Sequence, residues 1–179
     1  MLKLGHPNVA VVPLLGILLL SVGFLAATAA IGGVRINTSY SLQLGIYVRT
    51  HDHDAELIEF CPVEPFATES SERGYRTHGT ACADGSVPLL KPIVAVAGDR
   101  VVLSDEGMRV NGRLLPKTAP LFRDAAGRSL RPWPFGVYVV EDGAVWVAST
   151  YNRGSYDSRY MGPIKIPQIR ARLRPLWLL

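Results

Sequence analysis

The sequence predicts a mainly-β domain behind a single N-terminal apolar helix. Three observations carry that expectation. One is a long uncharged apolar stretch near the start. Another is a series of short runs rich in β-branched and aromatic residues. The last is a pair of Asx-Gly dipeptides set between such runs.

No charged residue lies between His6 and Arg35, and Val9 to Val34 is almost continuously apolar. As a helix this stretch would reach roughly 39 Å against a hydrocarbon thickness of about 30 Å, enough for one tilted pass. Ala27-Thr28-Ala29 offers a small-residue cleavage site, so a cleaved secretory signal is the competing reading; the length of the apolar stretch favours a retained anchor. Both readings export the remainder. Residues 1–34 are therefore expected to be a cytoplasmic tip and transmembrane anchor, and 35–179 an exported domain.

After the anchor, Gly45 to Thr50 (GIYVRT) and Glu56 to Cys61 (ELIEFC) read as strands. Ala67 to Gly85 is polar and reads as a surface loop. Leu89 to Val96 returns to strand character, and Gly98-Asp99 turns the chain into Arg100 to Leu103. Asn111-Gly112 between Met108-Arg109-Val110 and Arg113-Leu114-Leu115 predicts a hairpin whose turn needs positive φ. Asp142-Gly143 repeats that device between Val137 to Val140 and Ala144 to Val147. Pro116, Pro120, Pro132 and Pro134 mark the long connection between the two. No helical stretch of useful length, internal repeat or low-complexity tract is apparent.

The 179-residue chain has room for one domain plus an anchor, and it carries a formal net charge of +4. Its arginines are scattered through apolar segments, apart from Arg170, Arg172 and Arg174 near the end. No nucleic-acid partner is expected; a mildly basic surface beside lipid headgroups is the simpler reading. Cys61 and Cys82 fall in the exported part and are expected to form a disulfide, with roughly 3 kcal/mol of loop-closure stabilisation. No further ligands at metal-like spacing accompany them. His51-Asp52-His53-Asp54 has the composition of a metal cluster or part of a histidine triad, but it sits as a polar turn between two strands. No metal or other cofactor is expected.

Three stretches carry chemistry-bearing residues. Asn37 to Tyr47 holds Ser39 and Ser41 just past the apolar segment; alone, such a cluster satisfies turn hydrogen bonds. Lys91 sits in an apolar setting, between Pro88-Leu89-Leu90 and Pro92-Ile93-Val94. With an ordinary pKa near 10.4, only about one lysine in 2,500 is neutral at pH 7. Burial lowers that barrier by penalising the charged form, and a neutral lysine can activate a serine hydroxyl. From these residues alone, a strand-end lysine with its stem on apolar surface and its head in water is the better reading. The third stretch, Ser149 to Pro163, is hydroxyl-rich, and Asp157 and Arg159 stand within it as a local ion pair.

Taken together, these stretches resemble the bacterial signal peptidase I superfamily, and more closely its conjugative-transfer, TraF-type branch. The likeness runs through Phe60-Cys61-Pro62, Arg73-Gly74-Tyr75, Cys82, Pro88-Leu89-Leu90-Lys91 and Ala97 to Val101. It continues through Val110-Asn111-Gly112, Tyr156 to Pro163 and Leu173 to Trp177. The resemblance implies a signal-peptidase-like β fold with a Ser–Lys dyad: Ser41 as nucleophile, Lys91 as general base. It implies that Ser39 helps the Ser41 N–H hold the oxyanion, and that the Ser155 hydroxyl aims the lysine amine. Asp157, paired with Arg159, is expected to order the loop carrying Ser155 rather than to move protons. Ser41-Leu42-Gln43 stands where general signal peptidases have Ser-Met-x-Pro, and Pro92 stands where a basic residue is common.

The implied protein is a single-pass enzyme of the bacterial inner membrane with its catalytic domain in the periplasm. Its implied substrate is the pilin precursor of a conjugative type IV secretion system, or another small exported membrane preprotein. Some TraF-type enzymes resolve the acyl-enzyme with the pilin's own amino terminus, giving a circular product. A general signal peptidase and a non-catalytic β module of a secretion assembly are the two alternative readings.

Overall fold

The computed structural model describes residues 16–23 and 33–179. Residues 16–23 are helical (α1). Among the described residues no helix is long and apolar enough to cross a membrane. The expected anchor, 1–34, and the Ala27-Thr28-Ala29 site fall largely or wholly outside those residues.

The strands run in chain order as β1 (Val34–Asn37), β2 (Gly45–Thr50), β3 (Leu57–Phe60), β4 (Leu89–Ala95), β5 (Arg100–Ser104) and β6 (Gly107–Val110). They continue as β7 (Arg113–Leu114), β8 (Gly136–Val139), β9 (Ala144–Val147), β10 (Ile164–Lys165) and β11 (Ile169–Leu178). Two short helices interrupt them, α2 (Phe66–Glu72) and α3 (Ser158–Met161). The mainly-β expectation holds. One sheet has the order β1-β2-β11-β3-β4-β9-β10 and a second the order β7-β6-β5-β8. Neighbouring strands pair antiparallel.

Two apolar cores meet at β9. Its Ala-Val-Trp-Val sequence is apolar at every position, which suits a strand covered on both faces. Val145 and Val147 join Ile58, Phe60, Tyr156 and Tyr160 in one cluster. Ala144 and Trp146 join Val101, Leu103 and Met108 in the other, against the four-stranded sheet.

The Asn111-Gly112 hairpin forms as expected, with Asn111 at φ 49° and Gly112 at φ 85°. The Asp142-Gly143 turn does not make a hairpin. β8 pairs with β5 and β9 with β4, so the same local turn passes the chain from one sheet to the other. Ala67 to Gly85 is not all loop: α2 occupies its start, with Ala67 and Ser70 turned inward. The Ser70 hydroxyl donates to the Phe66 carbonyl at 2.6 Å, using a helix-compatible local bond that its polarity alone does not reveal. Cys61 and Cys82 are bridged, with Cα atoms 5.6 Å apart, and so close off the excursion that contains α2.

That excursion is tied to the rest of the domain by polar contacts. Tyr75 donates to Asp124 Oδ2 at 2.6 Å, Arg73 donates to the Ser129 carbonyl at 2.9 Å, and Tyr156 donates to Glu69 at 2.5 Å. These contacts fix one wall beside β4, where the site lies.

Candidate active site

β1 and β2 pair from Val34↔Val48 to Asn37↔Gly45, which leaves residues 38–44 as the connecting loop. Ser41 sits in that loop. Its fixity comes from side chains that take up the loop's carbonyls. Asn37 is only 9% exposed; its amide donates to the carbonyls of Ser39 at 3.0 Å and Gln43 at 3.1 Å, with a longer contact to Leu42 at 3.4 Å. The Asn37 Oδ1 accepts the Ser39 N–H at 3.1 Å. Tyr47 donates to the Gln43 carbonyl at 2.6 Å, and the Ser149 hydroxyl donates to the Ser41 carbonyl at 2.6 Å.

Lys91 lies on β4, opposite Ile58 of β3, with β9 on the other side. β4 is an interior strand of the sheet, and Lys91 is only 4% exposed. Desolvation pushes its amine down from 10.5 to about 8. The Asp157 carboxylate opposes that fall by favouring the ammonium, and the Arg159 guanidinium works against Asp157. The two opposed charges leave burial in control. With a pKa of about 8, roughly one lysine in ten is neutral at pH 7.

Asp157 and Arg159 are wholly buried. Arg159 Nε meets Asp157 Oδ1 at 2.8 Å and Nη2 meets Oδ2 at 2.8 Å, a two-point pair. The remaining guanidinium N–H groups go to the carbonyls of Ser155 at 2.8 Å, Arg153 at 2.9 Å and Lys117 at 3.3 Å. Every donor of the guanidinium is therefore used. Asp157 also caps α3 by accepting the Arg159 N–H, and it accepts the Ser149 N–H at 3.0 Å. The pair thus holds the backbone of Arg153 and Ser155, in keeping with a loop-ordering role.

A cavity of about 350 Å³ brings the Ser41 loop and β4 together. Asn37, Ser39, Ser41, Glu59, Tyr75 and Lys91 are among its lining residues. Ser41 and Lys91 therefore face one space, with Ser39 beside them. Among the described residues no hydrogen bond joins Ser41 or Ser155 to the lysine amine. Among the described residues the buried Ser155 hydroxyl has no hydrogen-bond partner, a costly state for a polar group. His51 and His53 lie in an exposed turn, and among the described residues no group of three or more His, Cys, Asp or Glu converges.

Asn37, Glu59 and Ser149 belong to this neighbourhood and were not singled out from the sequence. The Asn37 signal was present, since an asparagine before a Ser/Thr loop is a natural turn organiser. Glu59 gave none: a lone acid in ELIEFC reads as solvent-facing, yet it is 2% exposed and paired with Arg35 and Arg49.

The site is a cavity set in an antiparallel β fold, and comparison with known proteins defines the family. A family model described as "Signal peptidase, peptidase S26" matches residues 6–177. A plasmid transfer protein TraF from Escherichia coli is 35% identical over 155 residues, covering 85% of this chain and 86% of the relative. A probable conjugal transfer protein TraF from Sinorhizobium fredii is 38% identical over 149 residues, covering 80% and 76%. Among solved structures, a signal peptidase I from Enterococcus faecalis aligns over 70% of this chain and 99% of its own, at 17% identity and a TM-score of 0.38. The chain belongs to the peptidase S26 family of signal peptidases. Within that serine peptidase family its relatives include the TraF proteins of conjugal transfer.

Proposed function

We propose that this chain is a membrane-anchored serine endopeptidase that uses a Ser41–Lys91 dyad to process the pilin precursor of a conjugative type IV secretion system. The observation that carries the reading is the shared cavity: one hydroxyl-bearing loop and one buried lysine of lowered basicity face the same space. Membership among TraF-like peptidases supports the substrate class.

In the proposed reaction the neutral Lys91 amine takes the Ser41 proton as Oγ attacks the scissile carbonyl. The Ser41 N–H and the Ser39 hydroxyl hold the oxyanion; a donor of this kind is worth about 2.7–4 kcal/mol. The Lys91 ammonium then returns its proton to the leaving amine, and an acyl-enzyme remains on Ser41. The buried Ser155 hydroxyl, free of other partners, is assigned to steer the amine toward Ser41 as the substrate closes the cavity. Catalytic contacts commonly tighten only when substrate is bound, so their absence without it is no obstacle. The uncharged apolar segment between His6 and Arg35 supports an anchor that leaves the catalytic domain at the periplasmic face of the inner membrane.

Co-expression of the pilin precursor with wild type, Ser41→Ala and Lys91→Ala, followed by intact-mass measurement, tests the reading. Both variants are expected to leave the precursor uncut. Normal maturation by either one, with the protein present, would overturn the dyad. The same spectrum separates the two ways of resolving the acyl-enzyme, because a circular product is one water lighter than the linear chain. Efficient cutting of an unrelated secretory precursor would instead argue for a general signal peptidase.

A further inference from the structure

Ser149 follows β9 and is wholly buried. Its hydroxyl oxygen accepts the N–H groups of Tyr151 at 3.1 Å and Asn152 at 2.9 Å. A serine oxygen has two lone pairs and one hydrogen, so both acceptor positions are filled. The hydrogen therefore has one direction left, the Ser41 carbonyl at 2.6 Å. From its other side the Ser149 N–H donates to Asp157 Oδ2 at 3.0 Å. A continuous chain of hydrogen bonds runs from Arg159 through Asp157 and Ser149 to the backbone of Ser41.

The rest of the Ser41 loop is held from elsewhere. Asn37 takes the carbonyls of Ser39, Leu42 and Gln43, and Tyr47 takes that of Gln43. Among the described residues, Ser149 alone takes the carbonyl of Ser41. That carbonyl sets the plane of the Ser41–Leu42 peptide, and through it the direction of the Ser41 side chain.

We propose that Ser149 is a positioning residue for the Ser41 nucleophile, fixing its backbone to the same buried Asp157–Arg159 pair that holds the Ser155 loop. The proposal rests on the Ser41–Lys91 reading given above. One ion pair then sets the Ser41 backbone and the loop carrying the amine-steering hydroxyl. A displacement of about 1 Å in a reacting group costs up to roughly 100-fold in rate, so a single misplaced carbonyl matters.

The test uses the full chain in detergent micelles with purified pilin precursor, comparing wild type, Ser149→Ala, Ser149→Cys and Ser41→Ala. Cysteine nearly matches serine in size but donates weakly, so it removes the strong bond while keeping the space filled. Both Ser149 variants are expected to lower kcat about 30-fold with KM within about twofold, the pattern of an interaction felt at the transition state. The acid limb of the pH profile should stay in place, because burial and charge around Lys91 are unaltered. A kcat within twofold of wild type in either variant would overturn the proposal. So would a shifted acid limb with a raised KM, which marks a loop that has collapsed around the base. Unfolding of both variants would also count against it, assigning Ser149 to the fold alone. Activity in Ser41→Ala would instead remove the dyad itself; inactivity there with normal Ser149 variants would remove this inference only.

Discussion

The two cores that meet at β9 differ in what they bury. Against the four-stranded sheet lie Val101, Leu103, Met108 and Trp146, each 1% exposed or less. On the other side Ile58, Phe60, Val145 and Val147 pack beside a neighbourhood that also buries Lys91, Asp157 and Arg159. The first region is stabilised by removing apolar surface from water. The second sets its apolar contribution against the cost of dehydrating those ionisable groups and Glu59, itself 2% exposed. Buried ionisable groups gathered beside one core mark that side as the candidate site.

The largest way to break this contrast is Arg159→Met. It leaves Asp157 buried and uncompensated, and denaturant unfolding should show a loss of about 3–5 kcal/mol. The same change removes the charge that offsets Asp157, so the acid limb of activity should move to higher pH. Replacing both partners by apolar residues should recover much of the stability and none of the activity.

Leu103→Ala probes the other core. It should cost about 2–4 kcal/mol by the same measurement, while kcat per folded molecule stays within twofold of wild type.

Lys91→Met sharpens the comparison from the opposite direction. The folded lysine has a pKa of about 8 against 10.5 unfolded, so the unfolded chain binds more protons between those values. Wild-type stability should therefore rise as pH climbs from about 8 to 10.5, and below 8 the whole desolvation cost is present. At pH 7 the methionine variant should be more stable by up to about 3 kcal/mol and inactive, and its advantage should fade toward pH 10.5. Thermal melts across that range check the sign. The smallest effect belongs to Gly112→Ala in the outlying hairpin. Its φ of +85° disfavours a side chain although nothing crowds the space, so a loss of about 1 kcal/mol with unchanged kinetics is expected.

The same two regions differ in how readily their sequence reveals them. The β6–β7 hairpin was legible because Asn111-Gly112 states its own turn, and β2 begins and ends where GIYVRT does. The Asp142-Gly143 turn was equally visible, but a turn fixes only a change of direction, and the partners of β8 and β9 are chosen by distant packing. β11 escaped notice because Ile169–Leu178 interleaves three arginines and contains Pro175, residues that local propensity counts against a strand. The structure accommodates the proline beside a register shift between Pro175 and Trp177. At the site, Ser41, Lys91, Ser155, Asp157 and Arg159 stood out through the family pattern rather than through local chemistry. Ser149 had no such pattern, and its hydrogen bonds reach 108 residues along the chain to Ser41.

β11 lies between β2 and β3, pairing Leu173 with Arg49 on one side and with Leu57 on the other. The Ser41 loop hangs from β1 and β2, whereas Lys91 rides on β4 beside β3, so β11 is the seam between the two halves. During synthesis Ser41 and Lys91 both emerge long before residue 169 does. Until that late segment inserts, the hairpin bearing Ser41 has no sheet to join. The two lining elements therefore share one sheet only once β11 has been made.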